Sequence, residues 1–147
     1  MKQKLHAIAG VTGFLIILTF WTSTVVSEIF GAPQTIAQVK SMILWGMFGL
    51  IPAMAIAGGS GMAMGGRRKD APARAKKKRM PFIAANGLLI LLPAAFFLEA
   101  RASRGIFDTV FYIVQGIELF AGAVNLTMMG LNIRDGLRMS RRRRGAE

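Results

Sequence analysis

The chain has 147 residues, no cysteine, 53% hydrophobic residues and a formal net charge of +12. A mean hydropathy of +0.46 is too apolar for an ordinary soluble domain, and the clustering of apolar residues into long blocks excludes a disordered chain. The absence of cysteine excludes disulfides, thiolate chemistry and Cys-based metal sites.

Leu5–Ser27, Ser41–Gly66 and Met80–Leu98 contain no Asp, Glu, Lys or Arg, and Thr109–Ile133 contains only Glu118. A helix crosses the hydrocarbon core with about 20 apolar residues, whereas barrel strands alternate over about 10 residues. The blocks meet the first pattern and lack the second. The reading is an all-α integral membrane protein forming a single domain over residues 1–147. Its four transmembrane helices, over about 5–27, 41–66, 80–98 and 107–133, make an antiparallel up-down bundle.

Charge orients this bundle. Lys2 and Lys4 open the chain, segment 67–79 carries eight positive charges against Asp70, and the tail 134–147 carries six against Asp135 and Glu147. The other two connections are balanced, Glu28 with Lys40 and Glu99 and Asp108 with Arg101 and Arg104. Every basic segment thus falls on one side. The positive-inside rule then places the N and C termini and the 67–79 loop in the cytoplasm of a multi-pass inner (plasma) membrane protein. This distribution favours anionic headgroups at Arg67–Arg79 and Arg141–Arg144 over nucleic acid as the partner of the basic residues. The start Met1-Lys2-Gln3-Lys4 resembles a secretory signal, but its apolar run exceeds the usual length of about 7–15 residues, so the first span is read as retained.

In the first span, His6 is the only histidine. It reads as an interfacial boundary residue, with an axial ligand to haem b as the alternative. Glu28–Lys40, containing Gly31 and Pro33, reads as a short external loop, with helix two starting near Thr35 or Gln38 and Lys40 at the outer boundary. Helix two carries Ala53, Ala57, Gly61 and Gly65 at four-residue spacing, a groove for close approach of another helix in this chain or a second subunit. Pro52 in helix two and Pro93 in helix three free the carbonyls of Phe48 and Leu89. Met54, Met62 and Met64 read as packing residues rather than copper ligands.

Segment Arg67–Met80 reads as a mobile basic linker, with the third span starting at Pro81, and Glu99–Asp108 is short enough to make spans three and four antiparallel neighbours. In the fourth span Asp108, Tyr112, Gln115, Glu118, Gly122, Asn125, Met129 and Asn132 form one polar or small stripe, opposite Val110, Val114, Ile117, Phe120 and Val124. A charge at mid-bilayer costs about 2.5 kcal/mol or more, which marks Glu118 as the leading candidate for function. With no basic residue expected at its depth, Glu118 reads as a neutral acid. Its candidate hydrogen-bond partners are the Phe48 carbonyl, Thr19 and Gln115, and Glu118→Gln is expected to preserve the fold.

No His-Glu-x-x-His, Gly-x-Ser-x-Gly or phosphate-cradling motif occurs, so no enzymatic activity is expected. The first functional reading is a structural or accessory subunit, packing with itself or a larger membrane complex and needing no cofactor. The alternative is a proton or small-solute translocator, or a haem- or quinone-binding redox component, built on the stripe around Glu118.

Overall fold

A computed structural model describes residues 2–65 and 71–144. It consists of α1 (Lys2–Phe30), α2 (Pro33–Gly65), α3 (Ala71–Asn86), a π-helical turn (Gly87–Leu91), α4 (Leu92–Ala102) and α5 (Thr109–Arg144). The described residues contain no strand. The π turn joins α3 and α4 into one continuous span, so the chain makes four long apolar helices: Lys4–Phe30, Pro33–Gly61, Arg74–Ala102 and Thr109–Ser140. Each is long and apolar enough to cross a membrane, in agreement with the four blocks read from the sequence.

The helices are longer than the apolar blocks, and this corrects three boundaries. Only Gly31 and Ala32 separate α1 from α2, so Glu28–Lys40 is not a loop. Pro33 opens α2, a position where its missing amide costs no helical hydrogen bond. Pro81 does not start the third span: α3 begins at Ala71, and the basic residues Arg74–Arg79 lie on the helix. Likewise α5 continues beyond Ile133 to Arg144. In the last two cases apolarity marks only the part of the helix that suits lipid, whereas the helix itself continues through residues rich in Ala, Lys and Arg.

Pro93 has a structural consequence. Its ring would strike the carbonyl four residues earlier and it offers no amide. Immediately before it the helix widens by one residue, so that the Leu92 amide donates to the Gly87 carbonyl.

The spans pack in the order one, two, three, four around a square: α1 on α2, α2 on α4, α4 and α3 on α5, and α5 back on α1. Spans two and four are therefore diagonal, and among the described residues α2 and α5 make no close backbone contact. One end of the bundle holds the two short connections at Gly31–Ala32 and Ser103–Asp108. At the other end His6, Ser60, Lys76 and Gly136 come together. Three apolar clusters fill the interior: Ile36, Leu98, Ala102 and Phe111 near the connections, then Ile43, Met47 and Ala95, then Ile17, Ile83 and Met129. Between α1 and α5, Gly122 lets the Trp21 ring lie on the backbone, where a Cβ would stand 2.9 Å from Trp21 Cδ1. Trp21 Nε1 then donates to the Leu119 carbonyl at 2.9 Å. Much of the outer surface is apolar, including Trp45, Phe48, Phe96 and Phe120.

Candidate functional site

The α5 stripe largely faces the bundle interior. Gln115, Asn125 and Asn132 are buried, and so is Asp135, one step further along the same face. Asp108 and Tyr112 are the exceptions: Asp108 is exposed just before α5, and Tyr112 is exposed and edges against the Phe111 ring, which took the inward position. On the opposite face Ile117, Phe120 and Val124 are exposed as expected, while Val114 packs against the apolar cluster around Phe111.

The stripe is bound to other helices at three levels. Nearest the short connections, Lys40 Nζ donates to Glu118 Oε2 at 2.7 Å, and Gln115 Nε2 donates to the same oxygen at 2.9 Å. Further along, Asn86 Nδ2 donates to the Ala121 carbonyl at 2.8 Å and to Asn125 Oδ1 at 2.9 Å. At the far end Arg79 donates to Asp135 Oδ2 at 2.7 Å and to Asn132 Oδ1 at 3.3 Å.

The first level overturns the reading of Glu118 as an acid without a counter-charge. Because α2 starts at Pro33, Lys40 lies two turns inside the helix rather than at a boundary. Its side chain is 1% exposed and reaches across the diagonal to Glu118, which is 13% exposed. Glu118 therefore does not use the Phe48 carbonyl, and Phe48 lies on the outer surface. Thr19 is not a partner either, since its hydroxyl donates to the Leu15 carbonyl of its own helix at 2.9 Å.

Glu28 lies two residues from the end of α1, at the same end of the bundle. One of its oxygens, Oε1, is buried without a hydrogen-bond partner, as is Gln115 Oε1. On the adjacent α4, Glu99 is engaged by the Ser41 hydroxyl at 3.2 Å. Beyond it, Arg101 pairs with Asp108, whose Oδ1 caps α5 by accepting from the Phe111 amide at 2.9 Å. These hydrogen bonds from Phe111 and Arg101 hold the Asp108 carboxyl below the usual aspartate range.

At the far end His6 Nδ1 faces the Ala57 carbonyl at 3.0 Å and the Ser60 hydroxyl at 3.1 Å, while Lys76 Nζ lies 2.8 Å from Nε2. A carbonyl only accepts and an ammonium only donates, so His6 carries its hydrogen on Nδ1 and accepts at Nε2. Both ring nitrogens are engaged, which leaves neither free for the iron of a haem.

The expected groove on α2 is used inside this chain. Ala57 is buried, Ala53 is half-buried, and a Cβ on Gly61 would stand 2.3 Å from Met80 Cε and 3.1 Å from His6 Cε1. The surroundings of Gly65 lie outside the described residues, as do residues 66–70 and the side chains of Arg141–Arg144.

One small cavity of about 60 Å³ adjoins Glu118, walled by Phe20, Trp21, Thr24, Met47, Leu91 and Gly122 among others. That is room for about two water molecules. Among the described residues no group of three or more His, Asp or Glu side chains is placed to hold a metal ion.

Sequence reasoning missed Lys40, Glu28, Arg79 and Asp135. Asp135 was available, since it continues the stripe three residues after Asn132. Lys40 was not, because its depth depends on how short the first connection is. Comparison of the chain with family models, curated proteins and solved structures finds no match.

Proposed function

We propose that this protein is a non-enzymatic, multi-pass protein of an inner (plasma) membrane. It serves as a structural or accessory subunit that packs with copies of itself or within a larger membrane complex. The observation that carries this reading is the use of the stripe: Gln115, Glu118, Asn125, Asn132 and Asp135 are bonded to one another or to neighbouring helices. A seam of this kind holds helices in register, and the cavity beside Glu118, at about 60 Å³, is smaller than a quinone or haem.

Orientation follows from charge. Arg74, Lys77, Lys78, Arg134 and Arg138 are exposed at the end of the bundle that carries the chain termini. With that end in the cytoplasm, these side chains meet anionic headgroups, each worth about 1 kcal/mol near the surface.

Light scattering on the full chain extracted from its native membrane in mild detergent tests the assembly. A particle larger than one chain plus its detergent is expected, and a homogeneous monomer overturns the proposal. Proton flux in proteoliposomes separates this reading from translocation: leakage equal to empty vesicles is expected, and a flux abolished by Glu118→Gln would favour the translocator.

A further inference from the structure

The charges on α3 and α5 do not balance at the end of the bundle that carries the chain termini. Among the described residues their cations face a single acid there, Asp135. That acid takes Arg79 at 2.7 Å and has Arg134 at 3.6 Å. Lys78 and Arg138 are both exposed, and neither has a carboxylate at ion-pair distance among the described residues.

The register of the two helices brings these cations together. Arg79 meets Asn132 and Asp135, and Asn86 meets Ala121 and Asn125, so α3 and α5 run antiparallel with Arg79 and Asp135 closing the seam between them. Lys78 precedes Arg79, and Arg134 precedes Asp135. One residue back turns a side chain by about 100° around its helix. Because the helices are antiparallel, that step swings Lys78 and Arg134 to the same side of the seam, and their exposure makes it the outer side. Arg138 stands on the face of Arg134, one turn nearer the end of α5. One turn in the other direction, toward the apolar part of each span, are Phe82, which is 68% exposed, and the half-buried Leu131. Clustered cations thus stand directly over an apolar flank.

We propose that the outer side of the α3–α5 seam binds one anionic phospholipid, with its phosphate held by Lys78, Arg134 and Arg138 and an acyl chain lying along Phe82 and Leu131. The site rests on the reading that this end of the bundle lies at the cytoplasmic membrane surface, and it replaces general attraction to headgroups by one bound lipid. Arginine grips a phosphate through a planar fork and lysine as a point charge, so two helices supply complementary donors to one phosphodiester. Binding also neutralises cations that otherwise repel one another across the seam. A zwitterionic headgroup brings its own ammonium to these cations and is disfavoured for the same reason.

Native mass spectrometry tests the site on the full chain, delipidated in mild detergent and titrated with phosphatidylglycerol or with phosphatidylcholine of the same acyl chains. One retained phosphatidylglycerol is expected. Lys78→Gln and Arg138→Gln should each weaken its binding about fivefold. Lys77→Gln removes the same charge from the far side of α3, two residues before Arg79, and should weaken it by less than about twofold. All three side chains are exposed, so the variants keep the fold. No loss in Lys78→Gln or Arg138→Gln, or a loss matched by Lys77→Gln, overturns the site and leaves the orientation standing. Equal retention of the two lipids overturns the site and the headgroup reading together. Displacement of the lipid by inorganic phosphate shows a site for free anions and overturns the lipid as its occupant.

Discussion

Lys40→Met tests the diagonal ion pair most directly, since methionine keeps the length of the apolar stem and deletes only the charge and its donors. Lys40 is 1% exposed and 2.7 Å from Glu118 Oε2, and no other cation among the described residues is placed to replace it. Removing one partner of a buried pair costs about 3–5 kcal/mol, because the surviving charge is left without compensation. At about 1.4 kcal/mol per decade this is a fall of roughly two to three and a half decades in the folded-to-unfolded ratio. Glu118→Gln is expected to cost less, about 1–3 kcal/mol, since the glutamine carbonyl can still accept from Lys40 and the loss is that of a charged hydrogen bond. This revises the expectation from sequence that Glu118→Gln leaves the fold untouched. Combining the two substitutions should cost less than the sum of the single changes, as expected for groups that interact directly. Reversible unfolding by SDS in mixed bicelles, followed by circular dichroism and tryptophan fluorescence, measures all three. If Lys40→Met shifts stability by less than about 1 kcal/mol, the value of a solvated surface pair, the reasoning from burial and diagonal placement fails.

Glycine substitutions should rank by the neighbour they meet. A Cβ on Gly46 would stand 2.4 Å from Phe20 Cζ, a stiff ring, so Gly46→Ala should cost about 1–3 kcal/mol in the same unfolding assay. At Gly58 a Cβ meets nothing within 4 Å, and Gly58→Ala should stabilise by up to about 1 kcal/mol through helix propensity. Asn125→Ala removes the acceptor for Asn86 and should destabilise by about 0.6–1.7 kcal/mol, read by the same method. Asp108 has its folded pKa depressed, so its contribution is present above the unfolded value of about 3.9 and is lost as pH falls through the lower folded value. Amide exchange at Phe111 should therefore accelerate relative to mid-helix amides in that acid window; equal protection in wild type and Asp108→Ala at pH 7 would show that the cap contributes nothing.

Local features carried much of the architecture. Four uncharged or nearly uncharged blocks require four helices, because only a helix satisfies its own backbone within such a block. The α5 stripe was equally legible, since a helical face is a matter of spacing, and Gln115, Asn125 and Asn132 are buried as the spacing requires. Spacing does not say how far around the helix the buried face extends, however, and Tyr112 sits just outside it while Phe111 is buried. Helix ends were less legible: Ala71–Met80 and Arg134–Arg144 are charged but helical, so apolarity under-reads both. The partner of Glu118 was hidden because it depends on two non-local quantities. The connection at Gly31–Ala32 sets the depth of Lys40 on α2, and the square packing sets the distance that a lysine stem must cross to α5. By itself the sequence determined four apolar helices and an acid on an inward face. Only the tertiary structure decided that this acid is paired with a buried lysine, since charge compensation is fixed by which side chains meet across the bundle and not by their order along the chain.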